Sequence, residues 1–262
     1  MAPAYQAYST GRQTLADLAR KTGRSSRTLQ RAFTAYTPKI PSKKIPDHPV
    51  ALTFDATFFG RSFGVMIYRA QGRNIFWQEI TSETTAGIQE GLRHLIAQGW
   101  LFSSVTIDGR KGVILLIESM MPGIPIQLCL FHQKAIIRRY LTTKPKTQCG
   151  QEIQNLAAHL RYIDRETCTA CLDILWDTYG NFLRERGENG RFVHRTLRSA
   201  LRSLKTNLPY LYTWQDHPDL SIPTTTNSCD GSFAHWKAKV KIHRGLSAAN
   251  RSKMIVALLA HS

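Results

Sequence analysis

The chain has 262 residues, enough for one large domain or a domain with a small module, and its 42% hydrophobic content is ordinary for a folded protein. Lys and Arg number 35 against 18 Asp and Glu, a net charge of +17 with an isoelectric point near 10, so a polyanionic partner is expected. No apolar run approaches a membrane span, the N-terminus lacks a signal layout, and five scattered cysteines argue against a disulfide framework and for a reducing compartment.

Residues 1–12 carry no readable motif. Gln13–Phe33 does: Thr14 followed by Asp17 resembles a capping box, Leu15, Leu18 and Ala19 keep helical spacing, and Gly23 ends the helix. Ser25 or Ser26 can cap a second helix carrying Leu29 and Phe33. Two short helices joined by a glycine turn form a helix-turn-helix, whose second helix would offer Ser26, Arg27, Gln30 and Arg31 to a major groove. The module is expected over 1–36. Residues 37–49, with Pro38, Pro41, Pro46 and Pro49 among lysines, read as an extended linker.

Val50–Gly60 opens with the apolar run of a buried strand and delivers Asp55 at what reads as its C-terminal end. Ser62–Arg69 and Asn74–Ile80 alternate as neighbouring strands, with Gln71-Gly72 at the turn between them. Thr84–Gln98 has helical spacing and stops at Gly99. Phe102–Ile107 then repeats the first pattern, a strand running into an acid, Asp108. A helix near Lys111–Ser119 and a short strand over Ile124–Leu130 follow. Two strands that deliver carboxylates at one end of a sheet place them where open α/β folds bind ligands.

From Gln133 to about Leu220 the spacing is almost wholly helical and rich in arginine. Cys168 and Cys171 have the spacing of half a zinc knuckle or of a redox pair but sit in an apolar-periodic helix without a partner motif. Trp176 and Trp214 could each stack on a flipped base; core packing is the favoured reading for Trp176, Trp214 in its polar stretch is open between the two, and Glu185 and Glu188 belong to a solvated mixed-charge run. Ile222–Ser228 leads into a last helical region near Asp230. There Asp230, Ala234, Lys237, Lys241 and Arg244 fall within roughly an 80° stripe, beside an apolar stripe of Phe233, Trp236 and Val240 that can pack on the sheet. Three carboxylates, Asp55, Asp108 and Asp230, in a strongly basic chain suit two divalent metals acting on a phosphodiester.

The two strand-end acids, Cys129-Leu130-Phe131-His132, the helical insert, Thr225–Gly231 and His243-Arg244-Gly245-Leu246 together resemble bacterial insertion-sequence transposases of the Mutator-related group. The resemblance covers roughly residues 8–262. It implies an α/β, RNase H-like core of the retroviral-integrase type, with a mixed sheet over 50–132, a helical insertion at 133–221 and an acid-bearing helix region at 222–262. It implies Asp55, Asp108 and Asp230 as catalytic metal ligands for two Mg²⁺ or Mn²⁺ ions, with Asp230 standing where most relatives have Glu. It also implies Cys129, His132 and Asn227 as supports of the active site rather than zinc ligands. Many relatives begin with a cysteine zinc module, and this chain has no cysteine before Cys129, as in a truncated or domesticated copy.

The expected activity is metal-dependent cleavage of element ends and strand transfer into target DNA. Double-stranded DNA is the expected partner, contacted also by Lys237, Lys241 and Arg244, by a homodimer or larger assembly in the bacterial cytoplasm at the nucleoid. The alternatives are a non-catalytic DNA-binding descendant and a nuclease or resolvase that cuts without joining.

Overall fold

The computed structural model describes residues 2–11, 13–38, 44–60, 63–243 and 246–260, without the side chains of Ser228 and Asp230. The chain opens with helices α1 (Ala2–Ser9), α2 (Leu15–Thr22) and α3 (Ser26–Ala35), then strands β1 (Val50–Phe58), β2 (Gly64–Ala70) and β3 (Arg73–Ile80). Helix and strand next alternate as α4 (Thr85–Ala97), β4 (Phe102–Ile107), α5 (Lys111–Met120) and β5 (Ile126–Leu128). A helical run follows: α6 (Leu130–Leu141), α7 (Gln148–His159), α8 (Arg165–Arg184), α9 (Arg195–Leu211) and α10 (Thr213–Asp216). Helices α11 (Asn227–Ile242) and α12 (Ala248–Ala260) close the chain.

The five strands form one mixed sheet in the order β3-β2-β1-β4-β5. Strands β2 and β3 are an antiparallel hairpin, whereas β1, β4 and β5 run parallel. The architecture is α/β. Strand β1 continues to Phe58, past the point where the sequence pattern ends it, so Asp55 sits within the strand and not at its end. The longer strand is possible because Thr57 and the phenylalanines beyond Asp55 keep the alternation of a half-buried strand.

Two compact units divide the chain. One holds Met1–Pro46, Ala56–Glu83 and Ser228–Ser262; the other holds Asp47–Asp55 and Thr84–Asn227. In the first, α2 and α3 are joined through Gly23, whose φ of 68° is a left-handed conformation that glycine adopts without penalty. Thr14 and Asp17 make a reciprocal capping box, and the Ser25 hydroxyl caps α3 by accepting from the Thr28 N–H at 3.1 Å. Leu18, Leu29 and Phe33 form the shared core, joined by Tyr5 and Tyr8 of α1. That first helix has no readable signal because its contribution is two aromatic rings placed by tertiary contact.

In the same unit the β2–β3 hairpin turns through Gln71 and Gly72, both at positive φ. Val65 and Ile67 of β2 pack with Cys229, Phe233 and Trp236 of α11 and with Met254, Ile255 and Leu258 of α12. The apolar stripe of the last helical region thus meets the sheet, as its spacing predicts. Arg69, buried on β2, donates to Ser232 of α11 and Asn74 of β3, both at 3.0 Å, and ties helix to hairpin.

The second unit stacks α4 and α5 through Ile88, Leu92 and Leu95 and through Val113 and Ile117, all buried. Its helices α6–α9 pack pairwise around Ile137, Ile153, Leu172 and Leu204. Cys168 belongs to this core, and burial pushes its thiol up. The return of the insert is fastened to the short strand β5. The fully buried Gln127 amide donates to the Leu211 carbonyl at 3.0 Å and accepts from the Trp214 N–H at 3.0 Å, while the Thr213 hydroxyl donates to the Ile126 carbonyl at 2.6 Å. These bonds cover an edge that would otherwise expose unpaired backbone.

Gln127→Leu keeps the volume and strands the Leu211 carbonyl and Trp214 N–H without partners. The expected loss is about 2–4 kcal/mol, from the usual penalty for unsatisfied buried groups, read as a lower urea midpoint of the full chain. An unchanged midpoint would show that this fastening carries no stability.

Candidate functional site

The parallel pairing of β1 with β4 sets Thr53 opposite Thr106. Continued two residues, that register brings Asp108, the first residue past β4, beside Asp55 of β1. Neighbouring strands are about 5 Å apart, which brings the two carboxylates into one locality. Both acids are half-buried. Gly109, at φ 91°, turns the chain after Asp108, and Arg110 comes back so that its Nε lies 3.5 Å from an Asp108 carboxylate oxygen.

A third stretch is laid along the ends of these strands by backbone bonds. The Thr106 hydroxyl donates to the Pro223 carbonyl at 2.7 Å, and the Leu130 N–H donates to the Thr224 carbonyl at 3.0 Å. Cys129, at the head of α6, is itself held by its N–H to the Ile107 carbonyl at 2.7 Å. The next residue on this rail, Thr226, is fully buried and is the junction of the site. Its hydroxyl lies 3.2 Å from Asp55 Oδ2, 3.4 Å from His132 Nδ1 and 3.5 Å from Cys129 Sγ, and its N–H donates to Cys129 Sγ at 3.3 Å.

A hydroxyl has one proton to give. Asp55 Oδ2 and Cys129 Sγ are alternative acceptors for it, and the oxygen lone pairs can receive an Nδ1–H from His132. Burial pushes the Cys129 thiol up, but hydrogen bonds from His132 and Thr226 outweigh it and bring the thiol below its ordinary 9.0.

Asp55, Cys129 and His132 therefore meet through Thr226, and Asp108 joins them by strand register. Asn227 follows directly, opening α11 with an exposed side chain and its N–H 3.4 Å from the Thr225 hydroxyl. Asp230 lies in the first turn of α11, but its side chain is outside the described residues, as is all of Arg244. Lys237 and Lys241 are exposed along α11, and Ser26, Arg27, Gln30 and Arg31 are exposed along α3. Thr226 and Arg110 are the residues that sequence reasoning passed over. Thr226 lies inside a motif singled out for its acid and Arg110 directly follows another, and only the fold shows what their side chains reach.

Among the described residues no three His, Cys, Asp or Glu side chains assemble as a metal-binding group. The donor chemistry nonetheless fits a hard divalent cation: two adjacent carboxylates are what Mg²⁺ takes from protein when water and substrate phosphate fill its remaining positions.

A scan of protein-family models finds no match to this chain, and a search of curated proteins finds none either. Among solved structures, a simian T-cell lymphotropic virus intasome in complex with the PP2A regulatory subunit B56 gamma is similar over 77% of this chain and 68% of that chain. The identity is 13% and the TM-score 0.25, a likeness too slight to carry an argument about fold or activity. No described helix is long and apolar enough to cross a membrane.

Thr226→Val removes the hydroxyl at nearly constant volume and deprives Cys129 of one of the bonds that lower it. The thiol should then titrate at higher pH, seen at 240 nm as the difference between each protein and its Cys129→Ser counterpart. The sign for stability follows. A thiol lowered on folding stabilises the chain above its unfolded value, and that contribution is lost as pH falls through the folded value. The stability advantage of Cys129 over a serine at the same position should therefore grow with rising pH, and less so in the valine variant.

Proposed function

We propose that this chain is a metal-dependent DNA transposase with an RNase H-like core, cutting element ends and joining them to target DNA. The observation that supports it most is the parallel register of β1 and β4, which brings Asp108, just past β4, beside Asp55, with Asp55 tied through buried Thr226 to Cys129 and His132. A divalent ion, Mg²⁺ or Mn²⁺, held by Asp55 and Asp108 would supply Lewis-acid activation of a phosphodiester and of the attacking oxygen. Asp230 is the third ligand in this reading, and two ions are expected. Thr226 holds the Asp55 carboxylate in one orientation, and Arg110 limits the charge that builds up at Asp108. In the first step water attacks the phosphodiester and the 3′ oxygen leaves as a hydroxyl. In the second that hydroxyl attacks a target phosphate, displacing the target's own 3′ oxygen.

Helix α3 reads DNA sequence with Ser26, Arg27, Gln30 and Arg31, while Lys237, Lys241 and Arg244 hold phosphates. The protein acts as a homodimer or larger assembly on DNA, at the nucleoid. The second reading is a non-catalytic DNA-binding protein, which would use the exposed cations of α3 and α11 and no metal.

One assay separates the readings: purified protein with labelled element ends and Mg²⁺ or Mn²⁺, scored for binding, cleavage and strand transfer. Asp55→Asn and Asp108→Asn should each keep DNA binding and lose cleavage by several orders of magnitude, and Asp230→Asn should do the same. Cleavage surviving in either of the first two variants would end the metal-site proposal. Cleavage surviving in Asp230→Asn alone would reassign only the third ligand. Wild-type binding without any cleavage would leave the non-catalytic reading.

The helix-turn-helix makes a separate expectation. Arg27→Ala or Arg31→Ala should narrow the preference for element ends over random DNA. Lys237→Ala should weaken both DNAs alike and reduce the slope of log K against log salt by about 0.9. Equal losses on both DNAs for the arginine variants would count against base reading by α3.

A further inference from the structure

Helices α6 and α7 and the turn between them frame a cleft of about 540 Å³, within the size range of small-ligand sites. Lys134 and Arg138 line it from α6, Thr143 from the turn, and Gln151, Gln154 and Asn155 from α7. At 100° per residue, Lys134 and Arg138 lie roughly 120–160° around α6 from His132, so the cleft is on the side of that helix away from the carboxylate site.

Its charge has one sign. Among the described residues no Asp or Glu lines the cleft, and Lys134 is half-buried. Burial and the nearby Arg161 guanidinium hold the Lys134 ammonium below its ordinary 10.5, so a third cation adds to the same locality. Among the described residues, Lys134, Arg138 and Arg161 make no hydrogen bond or ion pair. Glu152 of α7 is committed elsewhere, accepting from Gln148 at 3.0 Å and from the Tyr179 hydroxyl at 2.8 Å. The polar wall is fixed to the turn: Gln151 donates to the Pro145 carbonyl at 3.1 Å and Gln154 to the Thr142 carbonyl at 3.4 Å. Cations gathered in partial burial without a counter-charge oppose folding, and an anion in the cleft relieves that cost.

The lining says which anion. No aromatic side chain lines the cleft among the described residues, so nothing there stacks on a base. Carboxamides and a hydroxyl suit ester oxygens and sugar hydroxyls. A phosphodiester carries one negative charge, whereas a phosphate monoester carries about 1.5 to 2 at neutral pH and matches several cations better.

We propose that this cleft binds a phosphate monoester carried on a sugar, its charged head on Lys134 and Arg138 and its sugar against Thr143 and Asn155. A 5′-phosphorylated strand end and a free sugar phosphate share this chemistry. Hydrolysis that frees a 3′ hydroxyl leaves the other product with a 5′-phosphate, so the reaction proposed above makes one ligand of this class. The cleft shares no residue with the carboxylate site, and the proposal does not rest on that reaction.

The test uses the full chain at constant ionic strength. Fluorescence anisotropy compares labelled single strands ending in a 5′-phosphate or a 5′-hydroxyl, with deoxyribose 5-phosphate as the free probe. The phosphorylated strand should bind roughly ten- to 150-fold tighter, the usual worth of hydrogen bonds to a charged group. Lys134→Gln and Arg138→Gln should each narrow that gap, and Lys134→Arg should keep part of it. Arg138 is exposed, so its variant leaves the core intact. Acetylation of Lys134, mapped by mass spectrometry, is a second readout. A bound dianion returns the ammonium toward its ordinary value, leaves less free amine and slows the reaction, while exposed Lys44 should not change. Strand preference with protection of Lys134, both reduced in Arg138→Gln, supports a strand end as the ligand. Protection by deoxyribose 5-phosphate without strand preference supports the chemistry and assigns a free sugar phosphate. A preference that survives in both glutamine variants, or neither preference nor protection in the wild type, would overturn the proposal. Cleavage is not read at any point, so failure here is separable from failure of the transposase reading.

Discussion

The parallel pairing of β1 with β4 is the constraint on which the candidate site depends. Extended chains alternate their side chains with a period of two, so a shift of one residue between these strands would send one carboxylate to the opposite face. With Thr53 opposite Thr106, the same register carried past the end of β4 brings Asp108 beside Asp55. The hydrophobic alternation that fixes this register is the same one that buries Leu52 and Phe54 on β1 and Val105 and Ile107 on β4. Core packing and site geometry are therefore one decision. Bringing two like charges together opposes folding, and the Arg110 guanidinium near Asp108 and the Thr226 hydroxyl at Asp55 are the local compensations.

Beyond the sheet, the site is completed by chain distant in sequence. Residues 223–226 arrive after the whole helical insert and are bonded to the ends of β4 and α6 by Thr106 and Leu130. This places a buried hydroxyl among a carboxylate, an imidazole and a thiol, each of which would be costly to bury without a partner. The insert can return to that place because Gln127 and Thr213 fasten its last turns to β5. An edge strand of three residues thus serves as the anchor for a much longer excursion. The excursion carries its own surface chemistry, an arginine-rich helix facing an exposed indole, which contributes to the charge of +17 without touching the carboxylates.

Much of this was legible in the residues alone. The strand Phe102–Ile107, the hairpin turn at Gln71-Gly72, the capping box of Thr14 and Asp17 and the glycine turn at Gly23 were readable because each is set by local sterics and hydrogen bonding. Asp55 and Asp108 stood out because an acid following an apolar run is locally conspicuous, and the stripe of Phe233, Trp236 and Val240 because helical periodicity is local as well. The charge balance by itself called for a polyanionic partner.

Tertiary structure alone decided the rest. It extended β1 past Asp55, since strand length depends on partners that sequence does not show. It recruited α1, whose Tyr5 and Tyr8 are ordinary residues until Leu29 and Phe33 are beside them. It made Thr226 a junction, because hydrogen-bond partners nearly a hundred or more residues away leave no trace in spacing. And it turned Trp176 outward, because helical periodicity identifies an apolar face but not which neighbour, if any, covers it.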